Sequence, residues 1–111
     1  AEQLIEWDPD FIFLDAAGTV IWENDISKPV FRNTMKAFKE GRIFTVLPYN
    51  WYSINYENVL CNTWFAGKII YPLAFEDVNI ETKCREIYKF FLGNDIFDEM
   101  NELYSPFREA F

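Results

Sequence analysis

Two short apolar runs separated by a helical pattern are the feature that most restricts the fold of this chain. Residues 11–14 read FIFL and end at Asp15, and residues 43–47 read IFTVL. Between them, apolar residues recur at helical spacing from Pro29 to a stop at Gly41. Strands that alternate with helices pair in parallel through right-handed crossovers. The sequence therefore predicts the α/β class, with a small, mainly parallel sheet flanked by helices.

The number of strands is low for such a sheet. Only these two runs are clear strands, and a two-stranded sheet is marginal alone. Either residues 20–22 (VIW) form a third strand, or the sheet is completed elsewhere. The uninterrupted apolar run at 11–14 also predicts that the first strand is covered on both faces.

Helices are expected before, between and after the strands. The first ends at Asp8-Pro9-Asp10, because the residue before a proline avoids the α region. After the 29–41 helix, we expect helices over about residues 55–68, 81–92 (capped by Asn79) and 95–104. The predicted buried face of the 55–68 helix is Tyr56, Val59, Leu60, Thr63, Trp64 and Gly67, widened by Cys61 and Phe65. That of the 81–92 helix is Cys84, Ile87, Tyr88 and Phe91, and that of the 95–104 helix is Phe97, Met100 and Leu103.

The loop at residues 47–55 (LPYNWYSIN) is the first candidate for a functional site. It follows the second strand, and open α/β sheets bind their ligands beyond the carboxyl ends of their strands. Its aromatic and amide side chains suit binding a sizeable organic ligand better than attacking one. An aromatic turn that only covers the core is the alternative. The candidate residues are Tyr49, Asn50, Trp51, Tyr52 and Asn55.

Length and charge restrict the partners of the chain. With 111 residues it can form one domain with its own core, but not two. The formal net charge is −8 and the basic residues are scattered, so we expect no nucleic-acid partner. Histidine is absent from the sequence, which removes the commonest general base and transition-metal ligand.

Two cysteines, Cys61 and Cys84, make neither a metal quartet nor a disulfide framework. Both fall on the apolar side of predicted helices, so we expect buried free thiols, with a disulfide as the alternative. The chain begins at Ala1 without a signal peptide, and the first residues already have the pattern of an amphipathic helix. We therefore expect it to be part of a longer protein.

Three segments together resemble a known family over most of the chain. They are EQLIEWDPDFIFLD at residues 2–15, TVLPYNWYSINYENVLCNTWFAGKIIYP at 45–72 and FEDVNIETKCREIYKFFLGNDIFDEM at 75–100. In this order they resemble the carboxyl-terminal lobe of class III periplasmic substrate-binding proteins. These proteins serve ABC importers of ferric siderophores, haem and cobalamin, and the likeness is to the iron-complex branch.

The resemblance implies a bilobal protein in which two Rossmann-like lobes face each other across a cleft. Residues 1–111 would be the carboxyl-terminal lobe alone. It would be no enzyme and carry no cofactor of its own, since the iron chelate is its ligand. The whole protein would be extracytoplasmic, lipid-anchored and partnered by an ABC permease. An isolated lobe is expected to self-associate through the surfaces it leaves exposed.

The family also suggests which residues face the ligand and the permease. Its ligand contacts lie in the loops at the carboxyl ends of the strands, which here adds Ala17 and Gly18 to the 49–55 group and ranks Trp51 and Tyr52 first. An acidic residue on each lobe docks on arginines of the permease, and Glu2 resembles that position.

A second resemblance points to a different class. FIFLDAAGTV, at residues 11–20, resembles the first motif of haloacid dehalogenase-like phosphatases, in which Asp15 would attack phosphorus with the help of Mg²⁺. GNDIFD, at 93–98, is superficially similar to their acidic metal-binding motif. The chain departs from that family at Ala17, where a second aspartate is usual, and in the helical pattern before Gly93. A pure interaction domain is the third alternative.

Overall fold

The computed structural model describes residues 2–110, which are built around a parallel pair of strands. Strand β1 (Ile12–Asp15) pairs with β2 (Ile43–Val46), with Ile12 opposite Ile43 and Asp15 opposite Val46. A short hairpin, β3 (Asn50–Trp51) and β4 (Ser53–Ile54), lies in the loop after β2. The prediction of an α/β fold with a small parallel sheet flanked by helices is confirmed.

The helices occupy most of the remaining chain. They are α1 (Glu2–Trp7), α2 (Thr19–Ile26), α3 (Pro29–Thr34), α4 (Lys36–Lys39), α5 (Tyr56–Ile70), α6 (Ile80–Leu92) and α7 (Phe97–Tyr104), and a 3-10 turn lies at Ala16–Gly18. Asn79 caps α6 as predicted, since its side-chain oxygen accepts a hydrogen bond from the Thr82 N–H at 3.0 Å.

Residues 20–22 do not form a third strand. They lie in α2, where Val20 and Ile21 are exposed to solvent. The indole Nε1 of Trp22 donates to the Asp15 carbonyl at 2.8 Å, which holds the helix against the end of β1. The three apolar residues suggested a strand, but the chain enters a helix directly after the 3-10 turn.

The free edge of β2 is covered by a segment near the end of the described residues. Phe107 and Ala110 donate backbone hydrogen bonds to the carbonyls of Thr45 and Ile43, at 2.8 and 2.9 Å. The Thr45 N–H donates in return to the Arg108 carbonyl at 2.9 Å. This segment therefore lies antiparallel along β2, on the edge away from β1.

The prediction that the first strand is covered on both faces is wrong. Every residue of β1 is only half-buried. Among residues 2–110, β2 is its only strand partner, so its outer edge has no strand beside it. Two residues of β1, Phe13 and Asp15, line an open cavity.

The helix expected between the strands is broken in two at Met35. This residue is extended and its side chain is buried. The break leaves the first N–H groups of α4 without a local cap. Asp8, at the end of α1, accepts a hydrogen bond from the Lys36 N–H at 2.9 Å and supplies that cap from a distant part of the chain.

The main apolar core lies where α5 and α6 pack together. Its buried residues are Leu47, Cys61, Cys84, Ile87, Tyr88 and Phe97. Both cysteines are free and buried, as expected.

The predicted faces of the last three helices need correction. On α5 the buried residues are Asn58, Cys61 and Phe65, whereas Tyr56, Leu60 and Thr63 are exposed. The buried face of α5 is thus rotated relative to the predicted one. Asn58 points inward, where its amide is hydrogen-bonded to the Tyr88 hydroxyl and the Pro48 carbonyl. Phe91 and Leu103 are also exposed, because burial ends before the last turn of α6 and α7.

Candidate functional site

A cavity of about 680 Å³ opens at the carboxyl edge of the parallel strands. The last residues of β1 and β2, Asp15 and Val46, form one side of it, and α5 forms the other. The lining is apolar and aromatic with a few polar groups. It consists of Phe13, Asp15, Val46, Tyr49, Ile54, Tyr56, Val59, Asn62, Thr63 and Ala66.

The loop after β2 is fixed at its base by the side chain of Asn62. The Oδ1 atom of Asn62 accepts a hydrogen bond from the Leu47 N–H at 2.9 Å, and its Nδ2 donates to the Leu47 carbonyl at 2.8 Å. Leu47 is completely buried, so both of its backbone groups need partners inside the protein. The amide of Asn62 provides them as a neighbouring strand would.

A second amide, that of Asn58, fixes the next residue of the loop. Its Nδ2 donates to the Pro48 carbonyl at 2.7 Å, and its Oδ1 accepts from the Tyr88 hydroxyl at 2.7 Å. Burial raises the pKa of Tyr88 above its ordinary value, so the hydroxyl keeps the proton that it donates. The base of the loop is therefore connected through α5 to α6.

The sequence prediction missed Asn58 and Asn62, and it placed Tyr88 correctly on a buried helix face without giving it a partner. A usable signal was present, because asparagines at 55, 58 and 62 recur with the spacing of one helix face. Asparagine is uncommon in a buried helix face unless its amide is hydrogen-bonded.

Asn55, a predicted ligand contact, binds the loop itself. Its Oδ1 accepts from the Trp51 N–H at 3.2 Å, and its own N–H donates to the Tyr49 carbonyl at 2.7 Å. These bonds close the β3–β4 hairpin at the start of α5. Whether Asn55 also contacts a ligand stays a prediction.

The aromatic residues of the loop point to two different surfaces. Tyr49 lines the main cavity, whereas Trp51 lines a smaller one of about 210 Å³ beside α7. Asn50 is exposed, and Tyr52 at the hairpin tip is 97% exposed. The rings of Trp51 and Tyr52 meet edge to face with centroids 5.4 Å apart. These rings therefore do not cover the core, which was the alternative interpretation of the loop.

The predicted contacts after β1 lie in the 3-10 turn. The Asp15 carboxylate caps this turn by accepting from the Ala17 N–H at 2.8 Å. Ala17 is exposed, and Gly18 lies next to the Trp22 ring. Asp15 contributes to the main cavity, whereas neither Ala17 nor Gly18 is among its lining residues.

The acidic residues of the 93–98 segment are engaged with Arg85. Its guanidinium contacts Asp98 at 2.7 Å, Glu81 at 2.7 Å and Asp95 at 3.0 Å. These hydrogen bonds raise the pKa of Arg85 above its ordinary value. Within residues 2–110 no group of three or more Asp, Glu or Cys side chains is arranged to hold a metal ion. The arrangement joins α6 to α7.

Glu2 is exposed in the first turn of α1. No helix in the described part of the chain is both long and apolar enough to cross a membrane. In comparisons with known proteins, no protein-family model matches the chain and no curated protein matches it.

Proposed function

We propose that this chain is the carboxyl-terminal lobe of an extracytoplasmic substrate-binding protein that captures a ferric siderophore or related iron complex for an ABC importer. The observation that carries the proposal is the aromatic cavity at the carboxyl edge of the parallel strands, built partly from the loop after β2. The resemblance of three long sequence segments to the class III binding proteins supports the same assignment.

The size and lining of the cavity favour binding over catalysis. Sites for organic ligands typically enclose about 300–1,000 Å³, mostly apolar with a few placed polar groups. Here Tyr49 and Tyr56 supply aromatic surface, and Asn62 and Thr63 supply polar groups. A flat chelate with an apolar body and a polar rim suits this mixture. In this proposal a second lobe covers the open side of the cavity.

The backbone of Tyr52 gives independent support for a functional loop. Its φ of 65° lies in the left-handed region, which a bulky residue enters only at a cost of about 1 kcal/mol or more. Its side chain is almost fully exposed and so stabilises the fold little in return. Strain of this kind at an exposed aromatic residue supports a role in contacting something outside the lobe.

The proposal also assigns the partners. Glu2 docks on an arginine of the permease, and because one surface ion pair is weak, docking requires both lobes together. The protein is anchored outside the cytoplasm by a lipid on a cysteine outside residues 1–111. Capture and closure are its mechanism, and no covalent chemistry is assigned to it.

The first test is to read the coding sequence upstream of Ala1. We expect it to encode another α/β lobe behind an export signal with a lipid-accepting cysteine. A start codon immediately before Ala1 would contradict the proposal.

The second test is ligand binding by the full-length protein. Haemin, a ferric trihydroxamate, a ferric tricatecholate and cyanocobalamin are titrated while tryptophan fluorescence is recorded. We expect one of them to bind, with weaker binding to the isolated lobe and to the Tyr49→Ala variant. Tyr71→Ala, which removes an exposed tyrosine at the end of α5, is the matched control and should leave affinity unchanged. Submicromolar affinity of the isolated lobe would contradict a two-lobe site.

The phosphatase alternative rests on Asp15, which ends β1 and lines the cavity. It is tested by hydrolysis of p-nitrophenyl phosphate with Mg²⁺, with Asp15→Asn as the control. If the chain hydrolyses this substrate and Asp15→Asn abolishes the hydrolysis, the phosphatase function would replace the binding proposal.

A further inference from the structure

Cys61 of α5 and Cys84 of α6 meet in the centre of the helix pair. Both side chains are completely buried, and both belong to the core cluster that includes Leu47 and Tyr88. The pair is independent of the cavity and of the function proposed above.

The register of the two helices places the thiols opposite each other. Asn58 of α5 is hydrogen-bonded to Tyr88 of α6 at 2.7 Å. Cys61 lies about one turn further along α5, and Cys84 about one turn back along α6. In an antiparallel pair these two positions face each other. The neighbouring Cys61 thiol and burial both raise the pKa of Cys84 above its ordinary value.

We propose that Cys61 and Cys84 are a disulfide-forming pair, which closes across α5 and α6 when the chain folds in the presence of a small-molecule disulfide such as oxidised glutathione. A disulfide requires Cα atoms roughly 4.4–6.8 Å apart, a separation that facing positions can reach on helices whose axes lie about 8–10 Å apart. Both residues already belong to one buried cluster, so closure does not require α5 and α6 to separate.

The reaction is two successive thiol–disulfide exchanges. One cysteine loses its proton to solvent, its thiolate attacks oxidised glutathione, and one glutathione thiolate leaves. The second cysteine then attacks the protein sulfur of this mixed disulfide, and the second glutathione leaves. The protein loses two electrons and two protons, and oxidised glutathione is reduced to two thiols. Because both sulfurs are buried in the folded chain, the exchange takes place while α5 and α6 are docking.

The bond would reinforce the support of the loop after β2. The Tyr88–Asn58 hydrogen bond already connects α6 to the base of this loop through the Pro48 carbonyl. A covalent link one turn away would hold the same two helices together. The bond closes the segment between Cys61 and Cys84, and closing a long segment restricts the unfolded chain. We therefore expect the melting temperature to rise by about 10 °C.

The test is refolding of the reduced, unfolded chain either in a glutathione redox buffer or in dithiothreitol. After denaturation and alkylation, the glutathione sample should be about 2 Da lighter than the unalkylated reduced chain and carry no alkyl group. Its melting temperature should exceed that of the dithiothreitol sample. The Cys61→Ser/Cys84→Ser variant should show the same melting temperature in both buffers.

Two alkylated thiols after refolding in glutathione would overturn the inference. So would glutathione adducts or disulfide-linked dimers in place of the internal bond. These outcomes are read on the unsubstituted chain, so they do not depend on the stability of the serine variant.

Discussion

At the scale of single residues, the candidate site is held in place by amide side chains. Asn62 and Asn58 bind the backbone of Leu47 and Pro48, and Asn55 binds the hairpin beyond them. Each of these bonds ends on the backbone of the loop, and Asn55, its last residue, is the one loop side chain among them. The position of the loop is therefore determined by α5.

Replacement of Asn62 by alanine tests this arrangement. The substitution leaves the buried N–H and carbonyl of Leu47 without their partner, so we expect the free energy of unfolding to fall by about 2–3 kcal/mol. Asn101→Ala, at an exposed position of α7, is the matched control and should change it by less than about 0.5 kcal/mol. Urea denaturation measures both. Equal effects of the two substitutions would show that Asn62 does not hold the loop.

Substitution of Tyr52 tests whether this residue contributes to binding without contributing to the stability of the fold. Tyr52→Gly relieves the left-handed backbone and removes little buried surface, so we expect unchanged or higher stability. Under the proposed function, we expect the affinity for the iron chelate to fall about tenfold. Ser105→Gly relieves a similar backbone strain at the end of α7 and should leave affinity unchanged. A stable Tyr52→Gly variant that binds normally would remove Tyr52 from the site.

At the scale of elements, the end of α5 depends on a close approach to the connection that follows it. The Phe75 ring lies directly over Gly67, where a Cβ atom would be 2.6 Å from its Cζ. The same ring packs edge to face on Trp64 at 5.7 Å. This contact accounts for a glycine inside a long helix, where it is otherwise unfavourable.

Gly67→Ala should therefore destabilise the chain despite improving helix propensity. Displacing Phe75 costs about 1–3 kcal/mol, and the gain in propensity is at most about 1 kcal/mol. In the Phe75→Ala background the clash is absent, and the same substitution should raise stability. A double-mutant cycle by urea denaturation measures the coupling. Equal effects in both backgrounds would contradict the packing argument.

The junction of α6 and α7 should weaken in acid. The Phe97 N–H, which donates to Asp95 at 2.9 Å, and the Arg85 guanidinium hold the pKa of Asp95 below its ordinary value of 3.8. A carboxylate with a depressed pKa in the folded state stabilises the protein above its unfolded pKa, and this stability is lost as the pH falls. We expect the urea midpoint to fall between about pH 5 and pH 3, and to fall less in Asp95→Asn. Glu102→Gln, which has no contact with Arg85, should retain the full decrease.

Local signals explain which elements could be predicted. The two strands, the break at Asp8-Pro9 and the cap at Asn79 depend on adjacent residues, and the structure confirms them. The break at Met35 depends on a cap from Asp8, and the segment that covers the edge of β2 comes from residues far along the chain. Of the predicted loop contacts, only Tyr49 lines the main cavity, because an unforeseen hairpin directs Trp51 elsewhere.

At the scale of the whole molecule, the two edges of the sheet differ. The edge at β2 is covered by residues 107–110, whereas the outer edge of β1 has no strand partner among residues 2–110. Large apolar side chains are exposed in the segments that follow both strands, namely Val20, Ile21, Trp51 and Tyr52. An exposed apolar surface of this kind favours association between copies.

We therefore expect the chain of residues 1–111 to self-associate as its concentration rises, despite its net charge of −8. Sedimentation equilibrium measures the association constant. Trp51→Ser/Tyr52→Ser should weaken it, whereas Phe90→Ser, at an exposed aromatic residue of α6, should not. A lobe that stays monomeric at millimolar concentration would contradict this expectation.

The anchoring of the loop by Asn58 and Asn62 has a consequence for evolution. Because these amides hold only the main chain of Leu47 and Pro48, the anchor does not depend on which side chains follow. Residues 49–54 can diverge while the scaffold beneath them stays unchanged. A lineage can thus change the surface of this loop through a handful of codon changes, and the loop becomes a natural unit for grafting.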